Sequence, residues 1–134
     1  MRITGLYAAI AALFVLFLAA RVIAYRRSHR IGLGDGGDEE LRRRIRAHGN
    51  AIEYLPFGLL LLLVLELNQT APALLHVFGI ALLVARFAHA WGVSHVSGIS
   101  PGRMLGVVLT FAVLIAMAVS LLWQWLVLAT FVAH

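Results

Sequence analysis

Residues 43–65 read Arg43-Arg44-Ile45-Arg46-Ala47-His48-Gly49-Asn50-Ala51-Ile52-Glu53-Tyr54-Leu55-Pro56-Phe57-Gly58-Leu59-Leu60-Leu61-Leu62-Leu63-Val64-Leu65, a cationic run leading straight into an apolar one. Spaced at 100° per residue, Arg43, Arg46, Asn50 and Glu53 share one helix face within an arc of about 80°. That face carries two cations, an amide and a carboxylate into what reads as the edge of a bilayer. Ionisable groups at that depth are expensive, so each calls for a partner, water or a ligand. His48 points well away from this face by the same arithmetic. Pro56 removes a backbone donor just beyond the cluster, which predicts a kink or a freed carbonyl there.

The apolar character extends over the whole chain. Of 134 residues, 62% are hydrophobic and 13% charged, more apolar surface than a soluble domain of this size can hide. The fold class is therefore all-α, an integral membrane four-helix bundle forming one domain over residues 1–134. There is no cysteine, so sulfur chemistry requires a thiol brought by a substrate. All 11 basic residues are arginine and the net charge is +5. These arginines sit at the ends of apolar segments, which favours anionic lipid head groups or small anionic ligands over nucleic acid as partners.

Helices are expected at about 3–25, 39–67, 73–91 and 101–131 from apolar length and capping signals. The first segment is too long for a signal-peptide core, and Arg21, Arg26, Arg27 and Arg30 follow it as a stop-transfer flank. Glycines 32, 34, 36 and 37 punctuate a loop that lacks the Lys-Ser/Thr ending of a phosphate-binding P-loop. Asp38 is the expected N-cap of the second helix, with Glu39 and Glu40 at its positive end. Glu66 to Pro72 forms a short turn without basic residues, and Gly92 to Gly102 a polar loop. Ser100-Pro101 supplies N-cap and N1 of the fourth helix, and Gly102 and Gly106 permit close helix approach. The arginine distribution places loops one and three in the cytoplasm and both termini outside. Polar residues from helices two, three and four then converge at one membrane face.

Each member of this constellation has a structural and a ligand-binding reading. Arg42 and Arg44 are expected to snorkel to lipid phosphates. Asn50 and Glu53 form either a structural network with an arginine or one wall of a ligand site. Arg86 and His89 share a face of helix three and serve as interhelical partners or ligand contacts; no HExxH pattern accompanies His89, so no metal site is expected. Arg103 lies in the first turn of helix four, where unpaired N–H groups and the helix dipole favour a phosphate, carboxylate or thiolate. A matching ligand is small and anionic, with more than one carboxylate and an amine for Glu53; if it carried a thiol, Arg103 and the helix end would stabilise the thiolate. An apolar groove between helices would admit a lipophilic second substrate.

The pattern Arg43-x-x-Arg46-Ala-His48-x-Asn50-x-x-Glu53-x-x-Pro56, with Arg86-Phe-Ala-His89 and Ser100-Pro101-Gly102-Arg103, resembles the MAPEG family, the membrane-associated proteins in eicosanoid and glutathione metabolism. The resemblance spans the four-helix layout and is nearest to short bacterial members. It implies a homotrimer binding glutathione as cosubstrate between neighbouring subunits, near the cytosolic face of a bacterial inner membrane. Arg43, Arg46, Asn50 and Glu53 would contact glutathione, with Arg86 and His89 lining the same site. Arg103 aligns with the thiolate-stabilising arginine of the prostaglandin E synthase-like members, given a one-residue difference in loop length. Arg26 or Arg27 would supply a contact from the neighbouring subunit. Gly49 departs from an arginine of that pattern, Val93 and Val107 from tyrosines, and Met104 from a serine, which argues against a prostaglandin-type isomerase.

Two functions follow from these residues. One is a glutathione transferase or peroxidase acting on lipophilic electrophiles. The alternative is a non-catalytic lipid-binding or adaptor membrane protein on the same fold. A transporter or channel would need polar residues through the full depth, and only Glu66 and His76 offer them on the outer side.

Overall fold

The computed structural model describes residues 2–95 and 100–132. Four helices follow in order: α1 (Arg2–His29), α2 (Glu39–Leu67), α3 (Pro72–His95) and α4 (Pro101–Val132). Each contains a stretch long and apolar enough to cross a membrane. Even α3, the shortest at 24 residues, extends about 36 Å at 1.5 Å per residue, beyond a hydrocarbon core of about 30 Å. The chain is a multi-pass membrane protein.

Helix ends follow local chemistry. Asp38 is extended (φ −80°, ψ 118°) and its carboxylate accepts the Leu41 N–H at 2.8 Å, capping α2 as expected. That backbone hydrogen bond holds the Asp38 carboxyl below its ordinary range, and the Tyr25 hydroxyl donating at 3.0 Å adds to it. A depressed folded-state value means that the cap's contribution is full at neutral pH and is lost as pH falls through it. Pro56 lies inside α2 without interrupting the helix.

Two ends differ from expectation. Helix α1 continues to His29 rather than stopping near residue 25, because the Ser28 hydroxyl donates to the Tyr25 carbonyl within the helix (2.9 Å). It closes where Arg30 takes a left-handed φ of 56°. Helix α3 runs to His95, so residues 92–95 of the expected loop are helical; residues 96–99 of that loop lie outside the described residues. The start of α4 packs so closely on this last turn that it requires glycine: a Cβ on Gly92 would lie 2.7 Å from Ser100 Oγ and 3.0 Å from the Gly102 carbonyl carbon.

Helices α1 and α3 run in the same direction and in register. Tyr7 Oη meets His76 Nδ1 at 2.9 Å, the Phe14 and Phe87 rings pack edge-to-face at 4.4 Å, and Arg21 Nη1 donates to Ser94 Oγ at 3.2 Å. Helix α2 returns between them, burying Ala47, Ala51, Leu55, Gly58, Leu62 and Leu65 along one stripe. At the opposite end of the bundle, the Glu66 carboxylate accepts the N–H groups of Ile3 (3.1 Å) and Thr4 (2.9 Å), satisfying donors at the start of α1. Both outer-side polar residues of a transport reading, Glu66 and His76, are thus engaged in tying helices together.

Candidate functional site

At the arginine-rich end, α2, α3 and α4 enclose a cavity of about 280 Å³. Helix α2 lines it with Arg42, Arg43, Arg46, Gly49, Asn50 and Glu53; α3 adds His89 and Val93, and α4 adds Arg103. The face read from the helical period is therefore one continuous wall. His48 is not part of it.

The guanidinium groups around the cavity differ in how far their charge is already matched. Arg43 donates to Glu40 at 2.6 Å, and Arg42 pairs with Asp35 at 3.1 Å. Arg46 and Arg103 are exposed, and neither forms an ion pair or side-chain hydrogen bond among the described residues. Arg103 sits in the first turn of α4, its own N–H donating to Ser100 Oγ at 3.3 Å. Cation and helix dipole thus act at the same place. These two cations, Arg46 and Arg103, line the same cavity as one carboxylate, Glu53. That balance suits an anion carrying a positive group.

Behind the wall lies a buried polar chain. Arg86, 2% exposed, donates Nη1 to Asn50 Oδ1 at 2.7 Å and Nη2 to the Gly106 carbonyl at 2.9 Å. Nη2 also donates to Thr110 Oγ1, and Thr110 donates on to the Gly106 carbonyl at 2.6 Å. With its oxygen held by Arg86, the Asn50 amide presents Nδ2 to Glu53 Oε2 at 3.4 Å. Arg86 is therefore not among the lining residues. It lies beneath the wall, bonded to Asn50, and the Asn–Glu–Arg network is present alongside the cavity.

Gly106 makes this chain possible. A Cβ on Gly106 would lie 2.6 Å from His89 Cβ and 2.7 Å from the Ala85 carbonyl oxygen, so only glycine lets α4 approach α3 closely enough for Arg86 to reach across. Gly106→Ala is expected to destabilise the protein by about 1–3 kcal/mol through overpacking. A lowered midpoint of thermal unfolding in detergent would register it; an unchanged midpoint would contradict the close approach.

Other positions are distributed differently. Arg44 does not snorkel: it donates to Glu40 at 2.8 Å and to the Arg21 carbonyl at 3.3 Å, with Tyr25 4.5 Å beneath it. Its short reach to a carboxylate one turn back outcompetes a distant head group. Arg42 lines the cavity, held inward by its pair with Asp35. Arg26 donates to the Gly32 carbonyl at 3.3 Å and Arg27 is exposed; neither lines the cavity of its own chain. Thr110 escaped the sequence reading, although Arg103, Gly106 and Thr110 fall at i, i+3 and i+7 on one face of α4.

Residues 4–123 match the model of the MAPEG family. Inner membrane protein YecN of Escherichia coli strain K12 is 36% identical over 121 residues, covering 90% of this chain and 91% of that protein. The protein of the same name from E. coli O6:H1 strain CFT073 matches to the same extent. With the four membrane-crossing helices and the polar wall of α2 in place, the chain belongs to the MAPEG family.

Proposed function

We propose that this protein binds glutathione in the α2–α4 cavity and transfers its thiolate to lipophilic electrophiles, or reduces lipid hydroperoxides to the alcohol and water as two glutathione molecules are oxidised to their disulfide. The observation that carries the reading is the pair of uncommitted guanidinium groups, Arg46 and Arg103, lining one cavity with Glu53. Arg43 and Arg46 would hold the carboxylates of the tripeptide and Glu53 its ammonium group. Arg103 and the α4 start would stabilise the sulfur anion, which attacks the electrophilic carbon as the leaving group departs.

Several further elements belong to this proposal. The arginine-rich end faces the cytoplasm by the positive-inside rule, in a bacterial inner membrane as the name of the YecN proteins suggests. Glu53 is exposed, and so are Ile52 (46%) and Phe57 (67%) on the same helix. A neighbouring copy in a homotrimer would cover this side and bring its Arg26 or Arg27 to the cavity. The electrophile would enter from the bilayer.

Glutathione titration of the purified protein tests the reading. Saturable binding with a rising unfolding temperature is expected, because a ligand that binds only the folded state stabilises it. Glu53→Gln removes the charge partner of the amine and should weaken binding about tenfold. Absence of binding at millimolar glutathione would refute the proposal.

A second reading, a non-catalytic lipid-binding or adaptor protein, draws on one feature of the cavity. Val93 lines it without any hydroxyl to offer a thiol. In that case thiol conjugation is absent and Arg103→Ala leaves ligand affinity unchanged.

A further inference from the structure

A second groove, of about 360 Å³, runs between α1 and α3, apart from the cavity of the proposed chemistry. It begins where Phe14 meets Phe87 and ends where Arg21 donates to Ser94. Seven residues separate these closures along each helix, a length of about 10 Å. Leu18 and Ala90, both buried, form its floor; Phe17 and Trp91, both largely exposed, form its rims. The His95 ring stacks on Trp91 at 4.2 Å and bonds its backbone carbonyl through Nδ1 at 2.9 Å, extending that rim.

The charge at the end of this apolar trough is the unusual element. Arg21 is half-buried, and among the described residues its guanidinium meets the neutral Ser94 hydroxyl and, at 5.9 Å, the Phe17 ring. The ion pairs among the described residues engage Arg42, Arg43 and Arg44, so the neighbouring carboxylates Asp35, Glu39 and Glu40 are taken up elsewhere. The nearby Arg44 guanidinium, which donates to the Arg21 carbonyl, adds a second cation and no acceptor. A cation at one end of an apolar groove with exposed aromatic rims is complementary to an anionic head group followed by a hydrocarbon chain. The volume lies at the small end of ligand sites, about 300–1,000 Å³, and suits part of one acyl chain rather than a whole lipid.

We propose that the α1–α3 groove is a specific site for an anionic phospholipid, its phosphate on Arg21 and one acyl chain laid between Phe17 and Trp91. Head-group charge sets the selectivity and the aromatic rims hold the chain.

The test uses the position of Trp91. In a Trp123→Phe/Trp125→Phe background the remaining tryptophan reports the groove, and the full-length protein is reconstituted with acyl-brominated phosphatidylglycerol or phosphatidylcholine. Brominated phosphatidylglycerol is expected to quench saturably, with about a fivefold preference over phosphatidylcholine, the order set by one basic residue at an anionic head group. Arg21→Gln should remove the preference and Arg21→Lys retain most of it, with helicity by circular dichroism confirming that both fold. Equal quenching by the two lipids, or a preference that survives Arg21→Gln, would overturn the site. Protection of Trp91 from both lipids would also overturn it, assigning the groove to a contact between copies of the chain.

Discussion

Arg103→Ala is expected to lower the rate of glutathione conjugation by about 10²–10³-fold, the effect of deleting one preorganised donor to a developing or bound anion. Among the described residues its guanidinium has no ion pair or side-chain hydrogen bond, and it shares the first turn of α4 with backbone N–H groups whose dipole points the same way. Both act on the thiolate far more than on the neutral thiol. A free thiol titrates near 8.5, so at neutral pH only a few per cent is nucleophilic; a site cation lowers that value. Loss of the cation should therefore move the rise of the pH–rate profile upward while leaving glutathione affinity less affected, because in the proposed mode the carboxylates bind to α2. Arg103→Lys should recover part of the rate. Single-turnover kinetics and the ultraviolet absorbance of bound thiolate measure the two effects separately. A rate unaffected by Arg103→Ala would remove thiolate stabilisation from this residue, whereas absence of conjugation in the unmutated protein would favour the non-catalytic reading.

The sequence was a good guide wherever a polar residue interrupts the apolar pattern. Helix α2 spans Glu39–Leu67 as expected because its first turn is fixed by the Asp38 cap, a purely local interaction. Arg43, Arg46, Asn50 and Glu53 line one cavity because the helical period alone determines that they share a face. Packing within the apolar segments was not legible in the same way. Val113 and Met117 of α4 are buried while Ile115 and Val119 are more than half exposed. In lipid, side chains on either face are equally apolar, so no amphipathic contrast marks the contact. Helix α3 outlasts its expected end for a related reason: Gly92 looks like a breaker in isolation, and only the backbone of α4 against it explains its place in the helix.

The position of Arg86 was beyond sequence for the same reason, and it carries the second large prediction. Its face was legible, but whether it ended in the cavity or beneath it depends on how closely α4 approaches at Gly106. Its guanidinium holds Asn50, Thr110 and the Gly106 carbonyl simultaneously, with the Tyr54 ring 5.1 Å away. Arg86→Met keeps the approximate length and removes the fork. Loss of the guanidinium also removes the cost of burying it, so the full penalty of a broken buried ion pair is not expected. What remains is an Asn50 oxygen without its charged donor, while Thr110 still serves Gly106. A hydrogen bond to a charged group contributes about 1.5–3 kcal/mol, and a stability loss of that order should appear as a lower unfolding temperature. Glutathione affinity should fall tenfold or more as well, although Arg86 does not line the cavity, because a released Asn50 amide no longer directs Nδ2 towards Glu53. Arg86→Lys keeps the charge but cannot span Asn50 and Gly106 together, so it should lie between the two. The decisive comparison is a double-mutant cycle with Asn50→Ala. If Arg86 acts through Asn50, the two losses in affinity will be strongly non-additive; additive losses would show that Arg86 touches the ligand itself.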